Sequence, residues 1–352
     1  MSLALAHIPT LTPVICGPTA GGKSDLAVDL ALTLRDKHHI PAEIITADAF
    51  QVYTGLDIGT AKPTVQERRG IPHHLIDIVP PLSDSALGAR HSALPPPFTV
   101  DDWLTRAQST IANLRAQSIL PIVVGGTHLY IKALLEGLFE GPEPDHALRA
   151  ELAAMDPAAR RAELERIDPR AAARIHPNDI RRTIRALEVF RLTGKPISAH
   201  QTQWDQPSPR AQCPTPSAYL LIILDWQTEP LNKRINARVK QMIDRGLLEE
   251  VRALIQQDAF TPQSAEALGY KQLIPLVRAA IESNLWPPPA AKLEDAVEKI
   301  KIETRRFAKN QRTWLRRLST TPGAIRLAAP PATDADRAAW IPSILTHLGL
   351  PA

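Results

Sequence analysis

The octapeptide Gly17-Pro18-Thr19-Ala20-Gly21-Gly22-Lys23-Ser24 constrains this chain more than any other stretch. It fits G-x-x-x-x-G-K-[ST], a loop that works only between a buried strand and a helix. A glycine-rich turn lets backbone N–H groups face an anion, and the helix behind it adds its positive end. Lys23 supplies a full charge. The Ser24 hydroxyl suits a Mg2+ ion that bridges phosphate oxygens. The flanks fit the motif. Thr12–Cys16 reads TPVIC, a short apolar strand, and Leu26, Leu30 and Leu34 recur at helical spacing. A phosphate or diphosphate ligand follows, but the loop does not say which molecule carries it.

Four further apolar runs read as strands: Glu43–Ala47, Leu75–Val79, Pro121–Val124 and Tyr219–Leu224. Continuous apolar runs suit strands buried on both faces. Helical patterns lie between them, notably Val100–Gln117. The fold expected is α/β, a P-loop doubly wound, mostly parallel sheet flanked by helices, with its ligand beyond the carboxyl ends of the strands. The phosphate loop, Asp48 and Gly125-Gly126-Thr127 all follow strand ends and should meet in one crevice.

The middle of the chain differs. From Asp145 to His200 there is no strand signal, only helical stretches rich in Ala, Arg and Leu. The expected division is a P-loop core over residues 1–139, an all-helical insertion domain over 140–215, and the core's continuation with C-terminal helices over 216–318. A Pro- and Ala-rich tail over 319–352 is expected to be loosely held. Ser83–Pro97 reads as a surface loop and Gln206–Pro216 as a linker back to the sheet. Arg234–Ile255 reads as one strong helix. Lys292–Leu318 reads as another, with Val297, Ile300, Thr304, Phe307, Gln311, Trp314 and Leu318 on one face.

No apolar run reaches the ~20 residues of a membrane helix. The start, MSLALAHIPTLTP, lacks a secretory pattern. Cys16 and Cys213 are too few and too far apart for a metal knuckle or a disulfide framework. The expectation is a cytoplasmic monomer with no membrane attachment. A net charge of +4 neither demands nor excludes nucleic acid, so the placement of the charge decides.

A phosphate loop is most often part of a kinase or NTPase, which adds an acidic residue after a second strand. The only such acid here is Asp48, in TADAFQVYTGLDIGTAKP (Thr46 to Pro63). That run resembles the signature of the tRNA dimethylallyltransferases, the isopentenyl transferases that modify tRNA adenosine. PHHLID (Pro72–Asp77), VVGGTHLYIKALLEGL (Val123–Leu138) and HPNDIRRTIRALEVFRLTGKPIS (His176–Ser198) resemble further blocks of that family. So do LNKRINARVKQMIDRGLLEEV (Leu231–Val251) and ALGYKQL (Ala267–Leu273). The resemblance runs in order from about Thr12 to Leu318, and its specificity far exceeds that of the loop alone.

The resemblance implies a reaction. A dimethylallyl group passes from its diphosphate to the exocyclic N6 of the adenosine just 3′ of a tRNA anticodon, and pyrophosphate leaves. It implies that Gly17, Pro18, Thr19, Ala20, Gly21, Gly22, Lys23 and Ser24 cradle the diphosphate, with Mg2+ at Ser24. Asp48 then serves as the base that takes the N6 proton, since the amine is a poor nucleophile until that proton can leave. Arg238 holds the diphosphate, with Arg234 one turn earlier able to assist. Thr127 shapes the entrance for the flipped base, or caps the following helix, or both. Asp48, Ala49, Phe50, Gln51, Thr127, Arg149, Arg181, Arg182, Thr183, Ile184 and Arg185 fall on the family's tRNA-contact positions. The basic helix with Lys299, Lys301, Arg305, Arg306, Lys309, Arg312, Arg316 and Arg317 adds a salt-sensitive grip on phosphates. The implied partners are a tRNA anticodon stem-loop and dimethylallyl diphosphate.

The chain departs from the family pattern in four places. Ala49 stands where serine is usual, which removes a hydroxyl worth ~1 kcal/mol of binding or orientation. His128 replaces a smaller or apolar residue. Ser83–Pro97 is longer than the usual connection. The zinc-finger tail of some eukaryotic members is missing from the sequence, so the resemblance is to the bacterial type. Other readings stay open from the residues: prenylation of a free adenine nucleotide, a P-loop small-molecule kinase, and a non-catalytic RNA-binding module that uses the loop structurally.

Overall fold

The computed structural model describes residues 8–82, 97–138, 141–200, 218–329, 337 and 339–351. The Ser83–Pro97 loop, all but Pro97, and the Gln206–Pro216 linker lie outside these residues. Contacts divide the chain into two compact units, Met1–Leu135 with Ser217–Ala352, and Glu136–Pro216.

The first unit opens with β1 (Thr12–Cys16), α1 (Lys23–His38), β2 (Ala42–Ala47), α2 (Val65–Arg68), β3 (His73–His74), α3 (Val100–Ala116), β4 (Leu120–Gly125) and α4 (His128–Glu136). The second unit holds α5 (His146–Ala154), α6 (Pro157–Ile167), α7 (Pro169–Arg174), α8 (Ile180–Thr193) and α9 (Ile197–His200). The chain then returns through β5 (Tyr219–Trp226), α10 (Thr228–Asp244), α11 (Leu247–Gln256), α12 (Tyr270–Glu282), α13 (Ala290–Leu318), β6 (Ile325–Ala329) and α14 (Ile341–His347).

The six strands form one parallel sheet in the order β3-β2-β4-β1-β5-β6. The chain leaves β1 towards one edge and comes back to β5 on the other side. The carboxyl ends of β1, β2 and β4 therefore border one crevice, in register where Cys16 and Ala47 both face Gly125. One core packs strand side chains against α1, and another lies outside the sheet. Ile15, Ile44, Ile122 and Ile222 share the first with Leu26, Leu30 and Leu34 of α1. Val52, Tyr53, Val239, Leu247, Tyr270 and Ile300 form the second under α10 to α13. Each fully buried Leu or Ile contributes roughly 1.5–3 kcal/mol by leaving water. Trp103 of α3 is fully buried, stacks on Tyr130 of α4 at 4.8 Å and donates its indole N–H to the Thr46 carbonyl at 2.9 Å. That bond fixes the end of β2 just before Asp48.

Four expectations need correction. Leu75–Val79 is not a strand, because Leu75 (φ 61°) and Asp77 (φ 56°) are left-handed and break the pleat. Only His73–His74 pairs with β2. Buried Lys62 bonds to the Asp57 and Asp77 carboxylates and the Tyr53 carbonyl, which holds this loop in place of a ladder. Arg234–Ile255 is two helices, since Gly246 (φ 96°) turns the chain between α10 and α11. The described residues of the tail are packed rather than loosely held. β6 pairs along β5, and Ile341, Ile344 and Leu345 of α14 bury into the core beside α1. Arg337 adds a 2.6 Å bond to Asp29 of α1. On α13, Phe307 is 40% exposed, and neighbouring Ala308 takes the inward position instead.

The helical unit folds as its sequence dictates. Asp145, Asp156, Asp168 and Asp179 each stand at an N-cap and accept a backbone N–H of the next turn, and Pro157 and Pro169 occupy first-turn positions. Leu152, Leu164, Leu187 and Ile197 close its core.

Candidate active site

The phosphate loop joins β1 to α1. Ala20 (φ 58°) and Gly22 (φ 79°) both take left-handed backbone, and the Gly21 N–H closes the turn on the Pro18 carbonyl at 3.1 Å. The loop's carbonyls are drawn to side chains. Lys23 Nζ donates to Pro18 O at 3.0 Å, Arg234 Nε to Ala20 O at 2.9 Å, and Trp226 Nε1 to Gly21 O at 3.1 Å. Arg234 also lies over the Trp226 ring at 5.2 Å. Carbonyls engaged in this way leave the loop suited to offer amides to an anion.

Three charges meet behind the loop. Burial lowers the Lys23 ammonium to about 8, nearby Arg238 lowers it too, and Asp48 pulls the other way. Burial also pushes the Arg238 guanidinium below its usual range, while Asp48 and Asp25 raise it. Two cations crowded against one carboxylate leave net positive charge that a diphosphate would neutralise. Cys16, on the strand end beneath, is pushed up to about 12 by burial despite Lys23, so its thiol is inert there.

Asp48 follows β2. Its Oδ1 accepts the Phe50 N–H at 2.9 Å and the Gln51 N–H at 3.2 Å, a tight turn that fixes the carboxylate. Oδ2 has no hydrogen-bond partner among the described residues. Thr127 follows β4. Its hydroxyl accepts the Ala49 N–H at 3.1 Å, and its own N–H donates to Ala47 O at 3.3 Å. The first bonds of α4 go to the Thr127 backbone carbonyl, while the hydroxyl holds the loop after β2.

The structure turns some expected contact residues inward. Phe50 packs against the second core. Gln51 is 9% exposed, and its Nε2 brackets the Thr60 and Ala61 carbonyls. In the helical unit, fully buried Glu188 takes two bonds from Arg149 (2.8 and 2.9 Å), one from Arg185 (2.6 Å) and the Asp145 N–H (2.9 Å). Burial would raise the Glu188 carboxyl, but the two arginines and the Asp145 amide together hold it below its usual value. Thr183 is buried and bonds to the Asp179 carbonyl, and Ile184 packs on that unit's core. Arg181 and Arg182 remain on the surface, Arg182 at 3.3 Å from Asp179. On α13, Lys299, Arg306, Lys309, Arg316 and Arg317 are exposed.

Two residues at the site were read from the sequence only as members of a helix face, with no role at the site. Gln311 of α13 is 2% exposed. Its Oε1 accepts the Thr19 N–H at 2.7 Å, and its Nε2 donates to Gly126 O at 2.9 Å. Trp314, one turn on, stacks on His128 at 4.6 Å, and burial lowers that imidazole to about 4. A polar amide inside a largely apolar helical stripe was the available signal.

Ser24 sits half-buried in the first turn of α1, where its hydroxyl is a hard oxygen donor. Among the described residues no cluster of three or more His, Cys, Asp or Glu forms a metal cage. A hydroxyl plus phosphate oxygens is the donor set on which Mg2+ commonly rests. No helix among the described residues is long and apolar enough to cross a membrane.

Residues 51–318 match the family model described as IPP transferase. The tRNA dimethylallyltransferase of Pelotomaculum thermopropionicum is 43% identical over 310 residues, 86% of this chain and 87% of that protein. That of Thermomicrobium roseum is 39% identical over 314 residues, covering 87% and 84%. Among solved structures, the full-length tRNA isopentenylpyrophosphate transferase of Bacillus halodurans matches 97% of both chains, with 33% identity and a TM-score of 0.61. A eukaryotic dimethylallyltransferase acting on tRNA matches 97% of this chain and 80% of its own, with 30% identity and a TM-score of 0.72. With its loop, strand order and match over most of its length, the chain belongs to the IPP transferase family.

Proposed function

We propose that this protein transfers a dimethylallyl group from dimethylallyl diphosphate to the exocyclic N6 of the adenosine 3′-adjacent to the anticodon in tRNA. The observation that carries the reading is that Lys23, Arg238 and Asp48 lie within electrostatic reach of one another, two cations and one carboxylate at the phosphate loop. The relatives' name, tRNA dimethylallyltransferase, supports it.

In this reading the loop amides, Lys23, Arg238 and Arg234 hold the diphosphate. The bond from the prenyl carbon to the diphosphate oxygen breaks, and its electron pair leaves with pyrophosphate. Preorganised cations stabilise that developing charge without reorganising. The N6 lone pair forms the new N–C bond, and the N6 proton passes to Asp48 Oδ2. Oδ1 stays with the Phe50 and Gln51 amides, which keeps the carboxylate oriented. Mg2+ bound at Ser24 would add charge neutralisation on the phosphate oxygens. The target base must leave its stack to reach N6, which an anticodon loop permits. The exposed arginines of α8 and the exposed cations of α13 supply surfaces for tRNA phosphates. The protein acts as a monomer in the cytoplasm.

The test is transfer of labelled dimethylallyl from its diphosphate to an unmodified tRNA with an A-rich anticodon loop, with AMP as a parallel acceptor. Label on the tRNA and not on AMP is expected. Label on AMP alone, or on neither, overturns the reading. Asp48→Asn keeps the two amide bonds and should retain pyrophosphate affinity while transfer falls ~10²–10⁴-fold. Full activity in that variant removes Asp48 from the base role.

A further inference from the structure

We propose that Gln311 is a positioning residue that holds the diphosphate loop and the acceptor-side loop at a fixed separation, so that leaving group and incoming amine are registered before either binds. The proposal rests on the diphosphate reading given above and adds a device that the reading does not require.

A buried amide needs partners for both of its ends. Gln311 sits among Ala308, Leu315 and Leu318 on the inward stripe of α13, where no other polar side chain is buried. Its two hydrogen bonds, counted among the described residues, go to two different loops. Thr19 belongs to the phosphate loop, and Gly126 immediately precedes Thr127. The partners are an N–H and a carbonyl, so only one orientation of the amide satisfies both. The approach is close. A Cβ on Gly126 would stand 2.7 Å from Gln311 Nε2, 3.1 Å from Gly17 O and 3.5 Å from Lys23 Nζ. One side chain thus touches both loops within reach of the Lys23 ammonium.

The neighbours on α13 brace this contact. Trp314 stacks on His128 at 4.6 Å, and Arg312 donates to the Thr228 hydroxyl at 2.6 Å. The Thr19 N–H is committed to Gln311, so this amide fixes the loop's shape and is not among those offered to the anion. Neither a Met nor a Glu reproduces the pair of bonds. Met fills the space with no polar atom to offer. Glu accepts from Thr19 but sets a carboxylate against the Gly126 carbonyl, leaving an unfavourable contact where a hydrogen bond stood.

The experiment compares wild type, Gln311→Met, Gln311→Glu and Leu315→Ala in the full chain. Leu315 is buried on the same face one turn on and serves as the control for loss of packing. The readouts are Tm, the Kd for inorganic pyrophosphate, and kcat and KM for tRNA. Both Gln311 variants should weaken pyrophosphate about 10-fold and lower kcat about 100-fold, with KM for tRNA within about threefold. Leu315→Ala should lower Tm while pyrophosphate affinity and kcat stay within about twofold. A folded Gln311→Met or Gln311→Glu with unchanged affinity and kcat overturns the proposal. So does Leu315→Ala showing the same losses at an equal drop in Tm. Wild-type protein that binds no pyrophosphate overturns the diphosphate reading, and this inference with it.

Discussion

The Thr127 hydroxyl accepts the Ala49 N–H at 3.1 Å, so a residue just beyond β4 holds the backbone that follows Asp48 after β2. Ala49 carries no hydroxyl of its own, and this bond is made to its backbone. The turn that presents the carboxylate is therefore fastened from the neighbouring strand. Thr127→Ala should lower transfer about 10-fold and leave pyrophosphate affinity unchanged, because a bond worth ~1 kcal/mol on the acceptor side is lost. Thr127→Ser should restore most of the rate. Steady-state kinetics with a parallel pyrophosphate titration decide the point, and equal loss in the Ala and Ser variants would exclude the hydroxyl.

Lys23 sets a pH limit. Burial and Arg238 lower its ammonium to about 8, so in the free protein the cation needed by the diphosphate is lost as pH rises through about 8. Pyrophosphate affinity should fall as pH rises above that value. Arg238→Ala weakens binding overall, and it also removes a cation that depresses Lys23. The alkaline fall should then move to higher pH. A titration of Kd from pH 6 to 10 tests both, and an Arg238→Ala profile with an unmoved midpoint would separate the two residues.

His128 predicts acid sensitivity. Its folded value of about 4 lies below the ordinary 6.5, so the unfolded chain takes up the proton first. Stability linked to this residue is complete above pH 6.5 and is lost as pH falls from 6.5 towards 4. The loss is of order 1–3 kcal/mol. His128→Met, which keeps an apolar partner for Trp314, should flatten that part of the stability curve in urea melts. An unchanged acid slope would move its cause elsewhere.

Glu188 tests the reading of Arg149 and Arg185 as tRNA contacts. Its carboxylate is fully buried and takes bonds from both. Glu188→Ala leaves two arginines without their partner and should destabilise the helical unit by about 3–5 kcal/mol. Because the folded carboxyl is held below its usual 4.5, this stabilisation is present above that pH and is lost on acidification through the lower folded value. Arg149→Ala should cost stability more than tRNA affinity, whereas Arg181→Ala should cost affinity alone. Filter binding and thermal melts on the three variants separate these outcomes.

The core strands were legible because each is a short apolar run behind a turn. The helical unit was legible through its composition, and its Asp caps explain where the helices start. Residues 75–79 misled because their apolar character is real while the left-handed backbone at Leu75 and Asp77 is imposed by the loop around Lys62. The tail misled for the opposite reason. Composition suggested a loose end, yet Ile325, Leu327 and Ala329 alternate with exposed Arg326 and Ala328 at strand spacing. At the site, Asp48, Lys23, Thr127 and Arg238 were readable from motifs. Gln311 was not, since its partners lie 292 and 185 residues away and only the packing of α13 brings them together.

The position of β1 inside the sheet has a consequence for synthesis. Its two neighbours are β4 and β5. When β4 has left the ribosome, one edge of β1 is still bare, and it stays so until Tyr219–Trp226 emerges. At ribosomal speeds that interval lasts roughly 5–20 s. Through it, a partly built apolar sheet presents an unpaired strand to every other nascent chain nearby. The helical unit, whose contacts are local, has time to fold in that gap. The catalytic crevice does not, because α13, which emerges later still, is needed to tie its two loops together.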